Sequence, residues 1–279
     1  MEDESTELPN ALKGVAVERL RQVLIWDLPT RLFHWLFAAG FLIAFLLALT
    51  FDDESPLFSY HSLLGLIVVW LVVLRFVWGL IGSRHARFSS MLFSPKEFLE
   101  YTVGALRGNA RRYDGHNPGS SYVAFAMFAV VVALAVTGVS LGSENEAAED
   151  LHEILAYLML ALVAAHIAGI LLHTIRHREN IALSMITGRK AASPEAAIPS
   201  AQPLAGAAFL VLTGAWSWSL LASYDPATNT ARIPLLGKQV YLGEPEEEGE
   251  EYERLESPEG GGYREGDYDD DEHEFEDDD

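Results

Sequence analysis

Five apolar stretches, each about as long as a membrane span, limit the possible folds of this chain more than any other feature. They lie at residues 32–51, 60–82, 122–142, 154–175 and 204–222. A helix of about 20 apolar residues crosses a hydrocarbon core of roughly 30 Å. Because soluble cores rarely repeat helices of this length, the sequence predicts an all-α integral membrane protein.

The net charge of −21 comes almost entirely from the C-terminal end of the chain. Residues 244–279 hold 20 acidic residues against two arginines. A segment with so much charge of one sign buries too little apolar surface to fold by itself. We therefore predict a disordered acidic tail, which we place at residues 224–279.

The sequence contains no cysteine. Disulfides, cysteine-bound iron–sulfur clusters and covalent attachment of c-type haem are therefore excluded for this chain. A redox cofactor would have to be held without a covalent link, and histidine is the first choice of ligand.

Basic residues alternate between the segments that join the spans, and this alternation predicts an orientation. Residues 52–59 and 143–150 contain no Lys or Arg, whereas the segments before the first span, after the second and after the fourth contain several. Cytoplasmic segments carry the excess of Lys and Arg. We expect a bacterial inner-membrane protein with a cytoplasmic N-terminus, a retained first span and a periplasmic tail.

Four of the nine histidines fall within the spans or at their edges, at matching depths. His152 and His166 are fourteen residues apart, so on a helix they project from nearly the same face, about 21 Å apart. His61 begins the second span at the depth of His152, and His34 begins the first span at the depth of His166. The spacing predicts two pairs, His61 with His152 and His34 with His166, near opposite membrane surfaces.

Each pair has the composition of the two axial ligands of a haem iron, because imidazole fills this role in many cytochromes. A hydrogen-bonded or proton-relaying histidine is the common alternative within a membrane span. Four histidines at matching depths are hard to explain in that way. Zinc is a poorer interpretation, since neither pair has a third or fourth ligand.

Three other residues of the spans bear on this interpretation. Arg75 lies fourteen residues after His61, where it would either neutralise a haem propionate or snorkel to the membrane surface. His173, beside the basic end of the fourth span, favours an interfacial role at a propionate or a quinone headgroup. Gly65, one turn after His61, leaves room for a flat macrocycle or for a neighbouring helix.

The segment between the second and third spans is long for a connection. Its residues Ser94, Pro95 and Glu97 form the pattern of a capping box, which predicts a short amphipathic helix on the cytoplasmic interface. We expect the histidines of the loops and flanks to be ordinary surface residues: His85, His116 and His177.

Several motifs, in order, together resemble one known family. They include "VLIWDLPTRLFHWLF", "YHSLLGLIVVWLVVLRFVWGLIGSRHARFSSMLFSP", "GHNPGS", "LHEILAYLMLALVAAHIAGILLHTIRHREN" and "MITGRK". Residues 23–190 resemble the bacterial cytochrome b561 family, which is related to the b-type cytochrome subunits of nickel–iron hydrogenases. The resemblance implies a four-helix core with two b haems and bis-histidine ligation, carried here by His34, His61, His152 and His166.

The resemblance also implies a function. Such a protein carries electrons across the bilayer between the quinone pool and a redox partner, such as a periplasmic c-type cytochrome or a hydrogenase. Two alternatives stay open: a superoxide:quinone oxidoreductase-type enzyme acting at the outer haem, and a non-redox membrane anchor. Membrane lipid is a further expected partner, and nucleic acid is not expected.

The chain departs from this family pattern at its C-terminal end. Around the core at 23–190, we expect a cytoplasmic segment at 1–22, a linker at 191–203, a fifth transmembrane helix at 204–223 and the tail at 224–279. The tail would either steer a basic cytochrome c by long-range attraction or serve as a solvated, disordered segment.

Overall fold

Long apolar helices make up most of the computed structural model, which describes residues 20–52, 55–109, 111–140 and 146–242. In chain order the helices of this part are α1 (Leu28–Thr50), α2 (Ser59–Ile81), α3 (Pro95–Arg107), α4 (Pro118–Ser140), α5 (Glu146–His177), α6 (Ile181–Thr187) and α7 (Pro203–Ser223). Five of them, α1, α2, α4, α5 and α7, are long and apolar enough to cross a membrane. The predicted all-α membrane architecture is confirmed, and α7 has the length and apolar composition expected of a fifth span.

Local sequence explains where several helices begin. Asp27 accepts a hydrogen bond from the backbone N–H of Thr30 at the start of α1. Ser94 and Glu97 form the predicted capping box at the start of α3. Helix α5 begins at Glu146, well before the apolar stretch, because acidic residues in a first turn are favourable near the positive end of the helix dipole.

The helices pack as two pairs with one addition. Helix α1 lies against α2, α4 lies against α5, and α2 joins the pairs through α4; α7 packs on α1 and α2. The shared core draws on all five long helices and includes Phe33, Leu71, Phe128, Met159 and Phe209. On the outside, apolar residues such as Leu80 and Val136 are exposed, as expected for helices that face lipid.

A short antiparallel sheet joins the two ends of the four-helix core. Strand β1 (Arg21–Leu24) pairs with β2 (Arg189–Ala192), with Arg21 opposite Ala192. Ile25 and Trp26 pack beneath this sheet with Ala192 and Ala196. Part of the predicted linker at 191–203 is therefore structured.

A second antiparallel hairpin follows α7, formed by β3 (Thr230–Arg232) and β4 (Gln239–Tyr241). The prediction of disorder from residue 224 is wrong for residues 224–242. Acidic residues dominate only from residue 244 onward, and the preceding residues supply Ala231 and Leu242 to a buried cluster with Leu63 and Leu220. The acidic part of the predicted tail lies outside the described residues.

Candidate functional site

The four histidines singled out in the sequence lie together as the two expected pairs. We call His61 and His152 the outer pair and His34 and His166 the inner pair, after the predicted orientation. The ring centroids are 6.1 Å apart in the outer pair and 6.5 Å apart in the inner pair. Two imidazoles on opposite sides of one metal ion, each nitrogen about 2 Å from it, have centroids about 6.3 Å apart. Both separations therefore suit a bis-histidine metal centre.

Hydrogen bonds fix the tautomers of the outer pair. The Nδ1–H of His61 donates to the carbonyl oxygen of Ala44 over 2.9 Å. His152 Nδ1 lies 2.9 Å from the hydroxyl of Thr137, which itself donates to the carbonyl of Ala133 over 3.0 Å, so the imidazole is the donor. Metal-bound histidines commonly donate their second N–H in this way. The Nε2 atom of each ring is left for a ligand.

The inner pair has a different environment. The Nδ1 atom of His34 is buried and has no hydrogen-bond partner within the described part of the chain. Trp35 packs edge-on against the His34 ring, with the centroids 4.9 Å apart, and its indole N–H donates to the carbonyl of Met185. The imidazole of His34 therefore has a nitrogen that is open to a bound group.

Open space lies on the helix surface beside each pair. A Cβ atom added to Gly65, one turn after His61, would meet no heavy atom within 4 Å, and the same is true of Gly169, three residues after His166. Close packing of a neighbouring helix therefore does not account for Gly65. Paired imidazoles with adjacent space fit a flat tetrapyrrole such as haem.

Arg75 is buried rather than snorkelled, with 3% of its surface exposed. One terminal nitrogen lies 3.7 Å from the sulfur of Met91, the guanidinium lies 5.0 Å from the ring centroid of Phe88, and the other terminal nitrogen has no hydrogen-bond partner among the described residues. A buried charge is costly unless it is paired. Arg75 thus has the properties of a residue that neutralises an anionic group such as a propionate.

The expectation that His85 and His116 are surface residues is wrong. His85 is 6% exposed and its Nε2–H donates to the carbonyl of Ala196 over 2.7 Å. His116 packs edge-on against Trp26, with the centroids 4.7 Å apart. Burial lowers the pKa of both imidazoles, in the case of His116 to about 3. Only the backbone of His177 is described.

His173 lies away from both pairs, at the inner end of α5. Its Nε2 atom is 3.6 Å from the carboxylate of Glu179, which also accepts a hydrogen bond from Arg112. Beside it, a crevice of about 70 Å³ opens between α3 and α5. Its walls are mainly apolar, with polar groups from Tyr101, His173 and Arg176, and it includes the open space at Gly169.

A family model described as prokaryotic cytochrome b561 matches residues 25–188, more than half of the chain. The chain belongs to the prokaryotic cytochrome b561 family. It is therefore a multi-pass membrane cytochrome of the b type, with haem b as its cofactor and electron transfer as its activity. Helix α7 and the hairpin that follows it lie outside the matched residues.

Two curated relatives have the same name, "Probable Ni/Fe-hydrogenase B-type cytochrome subunit". The relative from Rhizobium leguminosarum bv. viciae is 26% identical over 222 residues, which cover 63% of this chain and 91% of the relative. The relative from Bradyrhizobium diazoefficiens is 24% identical over 213 residues, which cover 60% and 85%. No solved structure matches the chain.

Sequence reasoning missed two residues of the site. Thr137 is one of few hydroxyl-bearing residues in an apolar span, and it lies near the outer end of that span, at about the depth of the outer histidines. Gly169 lies three residues after His166, as Gly65 lies four residues after His61, so a glycine within one turn of each histidine was visible in the sequence.

Proposed function

We propose that this chain binds two haem b groups, one between His61 and His152 and one between His34 and His166, and carries electrons across the inner membrane. The observation that carries the proposal is the occurrence of two histidine pairs, at ring separations of 6.1 and 6.5 Å, at two levels of the same helix α5. Fourteen residues of helix separate the pairs by about 21 Å. That separation gives one redox centre near each membrane surface.

Haem iron, when bound, supplies one-electron exchange at a potential set by its ligands, burial and nearby charge. The chain supplies the rest. Ala44 and Thr137 accept the Nδ1 protons of the outer pair, which holds both rings in the tautomer with a free Nε2. Arg75 offers a buried positive charge to a propionate, and the apolar helices keep water from the ligands.

We propose the crevice between α3 and α5 as the site where quinone exchanges electrons with the inner haem. Its apolar walls suit a lipid-soluble ring, and His173 and Arg176 offer polar groups to the quinone oxygens. Gly169 places this crevice next to His166. The cytoplasmic side is proposed for this end, because basic residues are concentrated there.

For the opposite end, we propose a protein redox partner. The names of the curated relatives favour a hydrogenase-like partner, and a periplasmic c-type cytochrome remains the second candidate. In either case the outer pair, which lies at the outer ends of α2 and α5, is the point of electron exchange with that partner.

Haem quantification in purified variants tests this proposal. We expect two haems per wild-type chain, one in His34→Ala, one in His61→Ala and none in the double variant. His173→Ala is the matched control and should keep two haems, because His173 belongs to neither pair. Full haem loading in His34→Ala and His61→Ala would show that these histidines are not ligands and would sink the proposal.

A further inference from the structure

No side chain of its own segment caps the start of helix α2. Phe58 stands at the N-cap position, where it makes no side-chain hydrogen bond. His61 lies in the first turn of this helix, and its ring stacks on that of Phe58 with the centroids 5.3 Å apart. The position of the outer ligand therefore depends on what holds this uncapped turn.

Two hydrogen bonds from the hairpin segment after α7 hold the turn. The hydroxyl of Ser59 donates to the side-chain oxygen of Asn229 over 3.1 Å, and the hydroxyl of Ser62 donates to the backbone carbonyl of Leu242 over 2.9 Å. The hairpin segment ties these two acceptors together, because the N–H of Leu242 donates to the carbonyl of Asn229. The two serines lie on either side of His61 in the sequence, two residues before it and one after it.

These bonds are partly buried and lie against apolar residues. Ser59 is buried, and so is the adjoining cluster of Leu63, Leu220, Ala231 and Leu242. A hydrogen bond that water cannot replace is costly to break. Asn229 also holds a positive φ of 46°, a left-handed conformation that asparagine adopts more readily than most residues.

We propose that Asn229 is a positioning residue for the outer haem. Through Ser59 it fixes the first turn of α2, and with it the orientation of the His61 imidazole, so the hairpin tunes the outer potential without affecting the inner one. This inference rests on the proposed function, since it requires a haem between His61 and His152. It assigns a role to a segment that lies beyond the family-matching residues.

Redox titration and low-temperature EPR of the full-length, haem-loaded protein test the inference. The variants are Ser59→Ala, which removes the donor, and Asn229→Gly, which keeps the left-handed backbone but removes the acceptor. Each is expected to change the reduction equilibrium of the outer haem about threefold, which is about 30 mV at 59 mV per tenfold change for one electron. The EPR g values of the outer haem should move with the potential.

The double variant is the sharper measurement. Both single changes break the Ser59–Asn229 bond, and Asn229→Gly also removes the contact of 3.5 Å with the Tyr224 hydroxyl, so Ser59→Ala should add nothing to the shift caused by Asn229→Gly. Gln239→Ala is the matched control: it breaks a bond of 2.8 Å from Gln239 to Thr230 within the same hairpin, and this bond does not involve α2. The inner haem is an internal reference in every sample.

The outcomes separate the inference from the proposed function. If wild type titrates with two haems and the Ser59 and Asn229 variants behave like Gln239→Ala, or shift both haems equally, the inference is overturned and the proposed function stands. If wild type shows no outer haem, both are overturned. A shift confined to the outer haem, without additivity, supports the inference.

Discussion

Filling the open space at Gly65 distinguishes a haem cradle from a surface that faces lipid. Gly65→Leu adds four carbon atoms at a position where a Cβ meets no heavy atom within 4 Å. The Cβ of the new side chain therefore meets no neighbour in the apoprotein. If the space belongs to the outer haem, leucine excludes the macrocycle beside His61, and the haem content falls from about two to about one per chain, the second being the inner haem.

The two interpretations predict stability changes of opposite sign. Leucine in place of glycine within a helix is worth about 1 kcal/mol in favour of the variant if the position merely faces lipid. A ligand present at about a thousand times its dissociation constant stabilises its protein by about 4 kcal/mol, and this is lost with the haem. The net change is then about 3 kcal/mol of destabilisation, against about 1 kcal/mol of stabilisation.

Three other glycines are matched controls for this experiment. Gly169→Leu fills space that opens into the crevice between α3 and α5, so electron exchange with quinone should slow while both haems remain. Gly214→Leu, on α7, has the same open surroundings but lies on neither pair's helix, so both haems should remain. Gly40→Leu places its Cβ 2.8 Å from Val68, and overpacking should cost about 1–3 kcal/mol without selective haem loss.

The assay is haem per protein by the pyridine haemochrome method, with the remaining haem assigned by EPR and stability followed by thermal unfolding. A Gly65→Leu protein that keeps two haems and unfolds at a higher temperature than wild type would refute the reasoning. The space beside His61 would then be a lipid contact.

Three further predictions concern charge and protonation. Arg75→Met should lower the inner-haem potential by tens of millivolts, because a buried cation near a haem favours its reduced form; exposed Arg84→Met should not. Thr137→Val removes the acceptor of the His152 proton, which lowers the basicity of that ligand, so the outer potential should rise by tens of millivolts in redox titration. Because the pKa of His116 is lowered to about 3, the unfolded chain binds a proton below about pH 6.5 that the folded chain does not. This group should lower stability by about 2 kcal/mol from pH 7.5 to pH 5, so the loss should be smaller in His116→Gln than in wild type.

Each of these expectations has an outcome that contradicts it. Equal potentials in the Arg75 and Arg84 variants would separate the buried guanidinium from the haem. An outer potential that stays constant in Thr137→Val would mean that the hydroxyl does not affect the ligand. Identical pH profiles of thermal unfolding in wild type and His116→Gln would show that another group controls the acid limb.

The histidine pairs were predictable from sequence because a helix has a fixed rise and rotation per residue. Fourteen residues correspond to a known difference in membrane depth, so the positions of His152 and His166 predict the depths of the histidines that face them. The capping box at Ser94 was equally local, since its two residues are three positions apart. Features that depend on one helix or one turn were therefore accessible.

Features that depend on distant segments were not accessible. His85 is buried because its loop meets Ala196, more than a hundred residues away, and no local pattern reports such a contact. The hairpin after α7 was not predicted, because its apolar residues were grouped with the acidic residues that follow from residue 244. No local pattern marked Asn229 as a contact of α2, because its partner Ser59 is 170 residues away in the sequence.

The sheet of β1 and β2 has a topological consequence. It brings the residue that precedes the first core helix next to the residue that follows the last, with Leu24 opposite Arg189. The two ends of the four-helix core therefore lie side by side. Domains with neighbouring ends tolerate circular permutation and appended segments. The fifth helix and its hairpin follow the core at this point and extend the protein without changing the connections among the four helices. These added segments are therefore free to vary while the packing of the four helices stays the same.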